Sequence, residues 1–277
     1  MSNDAARPER HLRMNLPRSA ILAACVTTIA CLGCDGPAKP KLLLYCGAGI
    51  RPPVAEVVDA FELQHGVEVE CNYAGSEVLL STIKLTRQGD LYLPGDIHYV
   101  EQAREADLVQ DSATVCYFVP IILVAKGNPK AIASLTDLLR PEIKFGLGDP
   151  ESCAIGRKAA RIFAKNGISE EEVNRRVAYR ALTVNDLGDK VKLGSLDAAI
   201  VWDAVAAYFQ EHAEIVPIPQ PQNVISTVAA STLKTSQYPE LADAFLEYLC
   251  SEEGRAAFRR HHYTLSLTGM TEPPSEE

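Results

Sequence analysis

The chain has 277 residues, of which 47% are apolar, 23% charged and 6% aromatic, and its formal net charge is −9. That supplies enough apolar material for one or two buried domains and shows neither disordered nor collagen-like bias. The acidic balance excludes a general binder of nucleic acid, and no apolar run reaches the roughly 18 residues of a permanent membrane span.

Arg7, Arg10, Arg13 and Arg18 precede an apolar stretch, Ala20–Gly33, that ends in small residues, which is the layout of a secretory signal over residues 1–33. Translation can start at Met1 or at Met14; the second choice leaves a compact basic head. Cys34 and the polar run Asp-Gly-Pro-Ala-Lys-Pro resemble a bacterial lipoprotein junction. That resemblance implies lipidation at Cys34, with Cys31 as the alternative, a tether over 34–40, and an exported protein held to a membrane by its lipid. Five cysteines remain beyond the signal: Cys46, Cys71, Cys116, Cys153 and Cys250. Their number is odd and no zinc-type spacing occurs, so buried thiols are favoured over a Cys46–Cys71 disulfide, and no metal site is expected.

Lys41–Tyr45 is a short apolar run that predicts a buried parallel strand. Pro52 and Pro53 open a helix to about Gln64, closed by Gly66. Val67–Cys71 alternates like a strand, Glu77–Arg87 predicts a helix, Gly89–Pro94 an edge strand and Tyr99–Ala106 another helix. Tyr117–Ala125 predicts one long strand and Ser134–Leu139 a short helix. A strand at Lys144–Leu147, a helix at Ile155–Lys165, a strand at Asp197–Trp202 and a helix to about Glu211 follow. Pro217, Pro219 and Pro221 mark a crossing segment suited to a hinge, and helices over Tyr238–Cys250 and Ser251–Arg260 close the chain. This alternation predicts an α/β fold of two lobes, each a mainly parallel sheet flanked by helices, with a ligand cleft between them. The first lobe takes residues 41–116 and 226–277, the second 117–225.

Three places repeat one design, in which an apolar strand meets a turn of tiny residues and then a helix start: Gly47–Ile50, Ala74–Ser76 and Ala154–Gly156. Free backbone N–H groups and the positive end of the helix dipole make such turns anion sites without cationic side chains. Taken singly, each is an ordinary tight connection. A hydrolase is the distant rival: Cys153 sits in a loop, but nothing connects it to His65, His98 or His212, and Gly-x-Ser-x-Gly is absent. The histidine pair His261-His262 lacks further ligands for a metal.

The ordered set Tyr45-Cys-Gly-Ala-Gly-Ile50, Tyr73-Ala-Gly-Ser76, Gly89-Asp-Leu-Tyr92 with Asp96, Gly148-Asp-Pro-Glu151 with Gly156, Thr183-Val-Asn185 and Gly194–Trp202 resembles the molybdate- and tungstate-binding proteins of ABC uptake systems, from about Lys41 to Tyr263. The resemblance implies a type II periplasmic-binding-protein fold and a monomer without cofactor that performs no chemistry. It implies capture of a tetrahedral oxyanion, molybdate or tungstate, for an ABC permease in the inner membrane. Carried over, the site takes the Ala48-Gly49 turn, the Ser76 hydroxyl, and backbone donors near Ile155 and at Val184. Gly49 stands where the family's first turn offers a serine, leaving only backbone N–H there. Trp202 replaces a tyrosine and can donate but not accept. Arg51 replaces a small polar residue and either reaches the cleft or stays in solvent. Another anion (sulfate, phosphate or a small organic acid) is the nearest alternative ligand.

Overall fold

The computed structural model describes residues 39–267; the signal segment, Cys34 and most of the tether lie outside the described residues. The element order is β1 (Lys41–Gly47), α1 (Arg51–His65), β2 (Glu68–Ala74), α2 (Ser76–Thr86), β3 (Leu91–Leu93), α3 (Ile97–Glu105) and β4 (Val109–Phe118). Then come β5 (Pro120–Ala125), β6 (Phe145–Gly148), α4 (Ala154–Lys165), α5 (Glu170–Arg176), β7 (Tyr179–Ala181), α6 (Val184–Lys192), β8 (Ala198–Trp202), α7 (Asp203–Ala206) and β9 (Ala213–Pro217). The chain returns through β10 (Ser226–Leu233) to α8 (Pro239–Cys250) and α9 (Glu252–Arg260).

Two sheets result, ordered β2-β1-β3-β10-β4 and β7-β6-β8-β5-β9. In each, the first three strands pair in parallel and one strand, β10 or β5, runs antiparallel to both neighbours. Each sheet with its helices is one lobe of a two-lobed α/β fold. In both lobes an early strand (β1, β6) has its successors on opposite sides. Such a reversal opens a crevice beyond the strands' carboxyl ends, the usual ligand position in open α/β sheets.

The elements follow local chemistry. Pro52 and Pro53 occupy the first turn of α1, where a missing N–H costs nothing, and Val54, Val57, Val58 and Phe61 form its buried stripe. Leu42, Leu44 and Cys46 of β1 are fully buried because neighbouring strands and helices cover both faces of a central strand.

Several expectations need correction. The expected edge strand is β3, in the middle of its sheet between β1 and β10. The single strand expected over 117–125 is two: β4 begins at Val109 and stays in the first sheet to Phe118, and β5 starts the second sheet at Pro120. The sheet change thus falls at Val119, two residues beyond the expected start of the second lobe. The helix expected to reach Glu211 ends as regular helix at Ala206 and continues as a 3-10 turn to Phe209. Cys71 pairs with Leu44 and Cys46 with Tyr73, so the two cysteines sit diagonally across β1 and β2. A diagonal of roughly 7–8 Å exceeds the Cα separation of about 4.4–6.8 Å that a disulfide needs, and all five described thiols are free.

The two crossings between lobes are tied together by Asn223. Its Nδ2 donates to the Pro120 carbonyl (2.8 Å), its Oδ1 accepts from the Val224 N–H (2.8 Å), and its backbone carbonyl accepts from Lys165 Nζ (2.8 Å). Asn223→Ala leaves the buried Pro120 carbonyl and Val224 N–H short of partners, at a cost of roughly 1–3 kcal/mol. For a chain of this size that is a fall of several degrees in Tm, read by differential scanning fluorimetry; an unchanged Tm would show that the crossings hold without this bridge.

Candidate functional site

The crevice holds one small cavity, walled by Gly47, Ala48, Gly49 and Ile50 after β1, by Ala74, Gly75 and Ser76 after β2, and by Gly95 after β3. The second lobe contributes Cys153, Ala154 and Ile155 at the start of α4, Thr183 and Val184 at the start of α6, and Trp202 at the end of β8; Phe118 of β4 completes it. Of the seven residues singled out from sequence, the structure gathers Ala48, Gly49, Ser76, Ile155, Val184 and Trp202 around this space. Arg51 is the exception. It is exposed, and its guanidinium lies 5.1 Å from the centre of the Tyr73 ring, a cation–π arrangement outside the cavity wall.

The wall is built to donate. First-turn N–H groups of a helix have no intrahelical acceptor, and the first turns of α2, α4 and α6 all border the cavity. Each helix adds roughly half a positive charge at that end. Carbonyls are drawn the other way: Tyr92 donates its hydroxyl to the Ser76 carbonyl (2.8 Å), and the Tyr263 hydroxyl donates to the Gly49 carbonyl. Burial pushes both phenols well above their usual titration range, so they remain donors. Ser76 Oγ accepts from the Gly95 N–H (3.0 Å). Its oxygen thus engaged, the hydroxyl proton is left to point elsewhere. No lysine, arginine, aspartate, glutamate or histidine lines the space.

Trp202 is 2% exposed and stacks on Phe118 with ring centres 4.8 Å apart and 3° between planes. A Cβ on Gly49 would lie 3.4 Å from Trp202 Cδ1 and 2.8 Å from Val184 Cγ1, so the indole's pyrrole edge closes directly over the Gly49 turn. Any larger residue at position 49 would hold the lobes apart or displace that edge. The same holds across Gly75, where a Cβ would meet the carbonyl oxygens of Ser152 at 2.4 Å and Leu182 at 2.8 Å. Between these points the Glu77 N–H at the start of α2 donates to the Ser152 carbonyl (3.2 Å), a backbone bond from lobe to lobe. The structure is therefore a closed one.

The acidic residues near the wall face away from it. Asp96 caps α3 through the His98 N–H (3.0 Å), and Asp149 Oδ1 holds its own loop through the Glu151 N–H and the Ser152 hydroxyl. Asp203 accepts from the Val119 N–H (3.1 Å) and the Thr264 hydroxyl (3.1 Å) at the crossing, and burial pushes its carboxyl upward. Burial likewise holds the Cys153 thiol at about 11, the reverse of an activated nucleophile. Among the described residues no three histidine, cysteine or carboxylate side chains cluster as metal ligands.

Sequence reasoning missed Thr183 as a wall residue, although its hydroxyl makes no cap bond. It also missed Gly95, which carries Ser76, and the phenols Tyr92 and Tyr263. A threonine at a helix start was the available signal for the first; the others act across long sequence separations and leave none.

A family model for bacterial extracellular solute-binding proteins matches residues 42–264. The chain belongs to that family. A Haemophilus influenzae binding protein of unstated solute is 27% identical over 237 residues, covering 85% of this chain and 93% of its own. The molybdate-binding protein ModA of Mycobacterium tuberculosis is 26% identical over 238 residues, covering 84% and 89%. Among solved structures, the sulfate-binding protein SubI of Mycobacterium tuberculosis aligns with a TM-score of 0.74 at 20% identity over 84% of this chain and 92% of that one, a likeness of fold.

For this solute-binding protein the glycine at 75 provides a clean test of closure. Its backbone (φ −65°, ψ 148°) suits alanine equally well, so Gly75→Ala adds only the clash with the opposite lobe. The unliganded variant should melt within about 0.5 kcal/mol of the parent, while ligand affinity, by isothermal titration calorimetry, falls at least tenfold. Undiminished affinity would mean that the lobes close around ligand by another route.

Proposed function

We propose that this protein is the exported binding component of an ABC uptake system and captures a tetrahedral oxyanion, molybdate or tungstate, between its lobes, handing it unchanged to an inner-membrane permease. The observation that carries this reading is a small cavity bordered by the first turns of α2, α4 and α6 and by Ser76, Thr183 and Trp202, with no charged side chain in its wall and with the Gly49 and Ser76 carbonyls engaged by Tyr263 and Tyr92. Ala48, Gly49, Ser76, Ile155, Val184 and Trp202 are the proposed ligand contacts, and Thr183 joins them. Arg51 on the Tyr73 ring is left out of the binding set.

Size and chemistry agree. The space open to the centre of a water-sized guest is about 20 Å³, little more than the roughly 10–15 Å³ that one water requires. Four oxygens clustered on one central atom need a space of this order for their centres, whereas a sugar phosphate needs several times more. Burying a dianion unpaired would cost tens of kcal/mol. Hydrogen bonds to a charged group contribute roughly 1.5–3 kcal/mol each, so the ion is held only if donors from both lobes are all engaged. Binding and closure are then one event. The 26% identity to ModA, a molybdate-binding protein, supports molybdate as the first ion to test.

Trp202 is the single tryptophan of the chain, so intrinsic emission reports on this wall alone. Titration of the purified protein with molybdate or tungstate should give a saturable change in emission and a rise in Tm, and Ser76→Ala should weaken binding roughly tenfold to a hundredfold. A response to sulfate alone would move the assignment to that ion; no response to any tetrahedral oxyanion would overturn it.

A further inference from the structure

Behind the cavity wall lies a buried ion pair that the binding contacts do not use. Lys158 Nζ of α4 lies 2.7 Å from Asp96 Oδ2, and both side chains are 5% exposed. The pair joins the lobes: Asp96 follows Gly95 of the first lobe, and Lys158 belongs to the second. The geometry is a two-rung ladder. Ala154, a wall residue, abuts Gly95, where a Cβ would sit 3.2 Å from that of Ala154; one helical turn later Lys158 meets Asp96. Further bonds surround the pair. Asp96 Oδ1 accepts from the His98 N–H, Oδ2 also accepts from the Ser226 hydroxyl, and Lys158 Nζ donates a longer bond to the Ile225 carbonyl (3.4 Å) at the crossing. Beside it Arg157 contacts His98 (3.3 Å), again from lobe to lobe.

We infer that Lys158 is a positioning residue that sets the charge the site accepts. It cancels the Asp96 carboxylate one residue behind the wall and registers the α4 N-terminus against the Gly95–Ser76 relay. This rests on the oxyanion reading above. Ion pairs buried this deeply are costly to break by halves, and their replacement as a pair is often neutral. Here each half also has a signed effect on a bound anion. With Lys158 removed, an uncompensated carboxylate opposes a dianion more than a monoanion; with Asp96 neutralised, the ammonium favours the dianion.

Tungstate and perrhenate are suitable probes, both tetrahedral and differing by one unit of charge. Their affinities are to be measured by calorimetry for the parent, Lys158→Met, Asp96→Asn and the double variant, with Tm recorded for each. The tungstate-over-perrhenate ratio should fall at least tenfold in Lys158→Met, rise at least threefold in Asp96→Asn, and return to within about threefold of the parent in the double variant. Asparagine keeps the cap on α3, so the last two proteins carry the test if the first does not fold. Equal losses of both anions across the variants would leave the pair a purely structural tie and overturn the inference. A parent that binds neither anion would instead overturn the oxyanion reading itself.

Discussion

Every backbone N–H that faces the cavity belongs to a chain that also carries a carbonyl, and those carbonyls must go somewhere buried and satisfied. This constraint organises the site. Tyr263, from the end of the chain, takes the Gly49 carbonyl, and Tyr92, from the middle of the first sheet, takes that of Ser76. Both phenols are buried among apolar side chains, where an unsatisfied hydroxyl would itself be costly. The result is a wall of neutral groups in which these two carbonyls are already engaged. It needs the whole first lobe to exist: β1 and β2 to bring the turns, β3 to bring Gly95, and the C-terminal segment to bring Tyr263.

The second lobe contributes donors of the same kind but on a separate sheet, so the cavity is complete only when the lobes meet. How closely they meet is set by residues that have no side chain. Gly49 lets Trp202 and Val184 settle over the first turn, and Gly75 lets the Ser152 and Leu182 carbonyls approach the second. The closing contacts include a backbone hydrogen bond from Glu77 to Ser152, the buried Lys158–Asp96 pair, the Arg157–His98 contact and the stacking of Trp202 on Phe118. Contacts of this kind are specific rather than extensive hydrophobic packing, which suits a cleft whose closure a ligand's own hydrogen bonds can bias.

Much of this was legible in the sequence where chemistry is local. A short apolar strand, a turn of tiny residues and a helix start can be recognised within ten residues, and Gly47–Ile50, Ala74–Ser76 and Ala154–Gly156 all border the cavity. What failed was non-local. β3 is three residues long, and nothing within Leu91–Leu93 says that β10 will cover its other side. β10 itself, Ser226–Leu233, is small and hydroxyl-rich and does not stand out as the strand that joins β3 to β4. Val109–Thr114 alternates weakly with exposed residues, which hid the first half of β4. Arg51 was ambiguous for the same reason: whether it enters the cleft depends on Tyr73, twenty-two residues away, offering its ring as a resting place.

The chain carries a net charge of −9, and the proposed anion site within an acidic body is at odds with that charge only until range is considered. Surface charges more than about 8–10 Å from a site are largely screened at physiological ionic strength. Contacts at a few ångströms inside a small cavity are screened far less, so in the reading proposed the short-range pattern of dipoles dominates recognition. A lysine in the wall would supply attraction without regard to shape, as a point charge on a flexible stem. Fixed N–H groups supply it only at the positions where oxygens must lie, which makes the geometry of the ion the quantity tested. In the reading proposed, Lys158, paired with Asp96 behind the wall, sets the charge that is favoured, and the backbone donors set the shape.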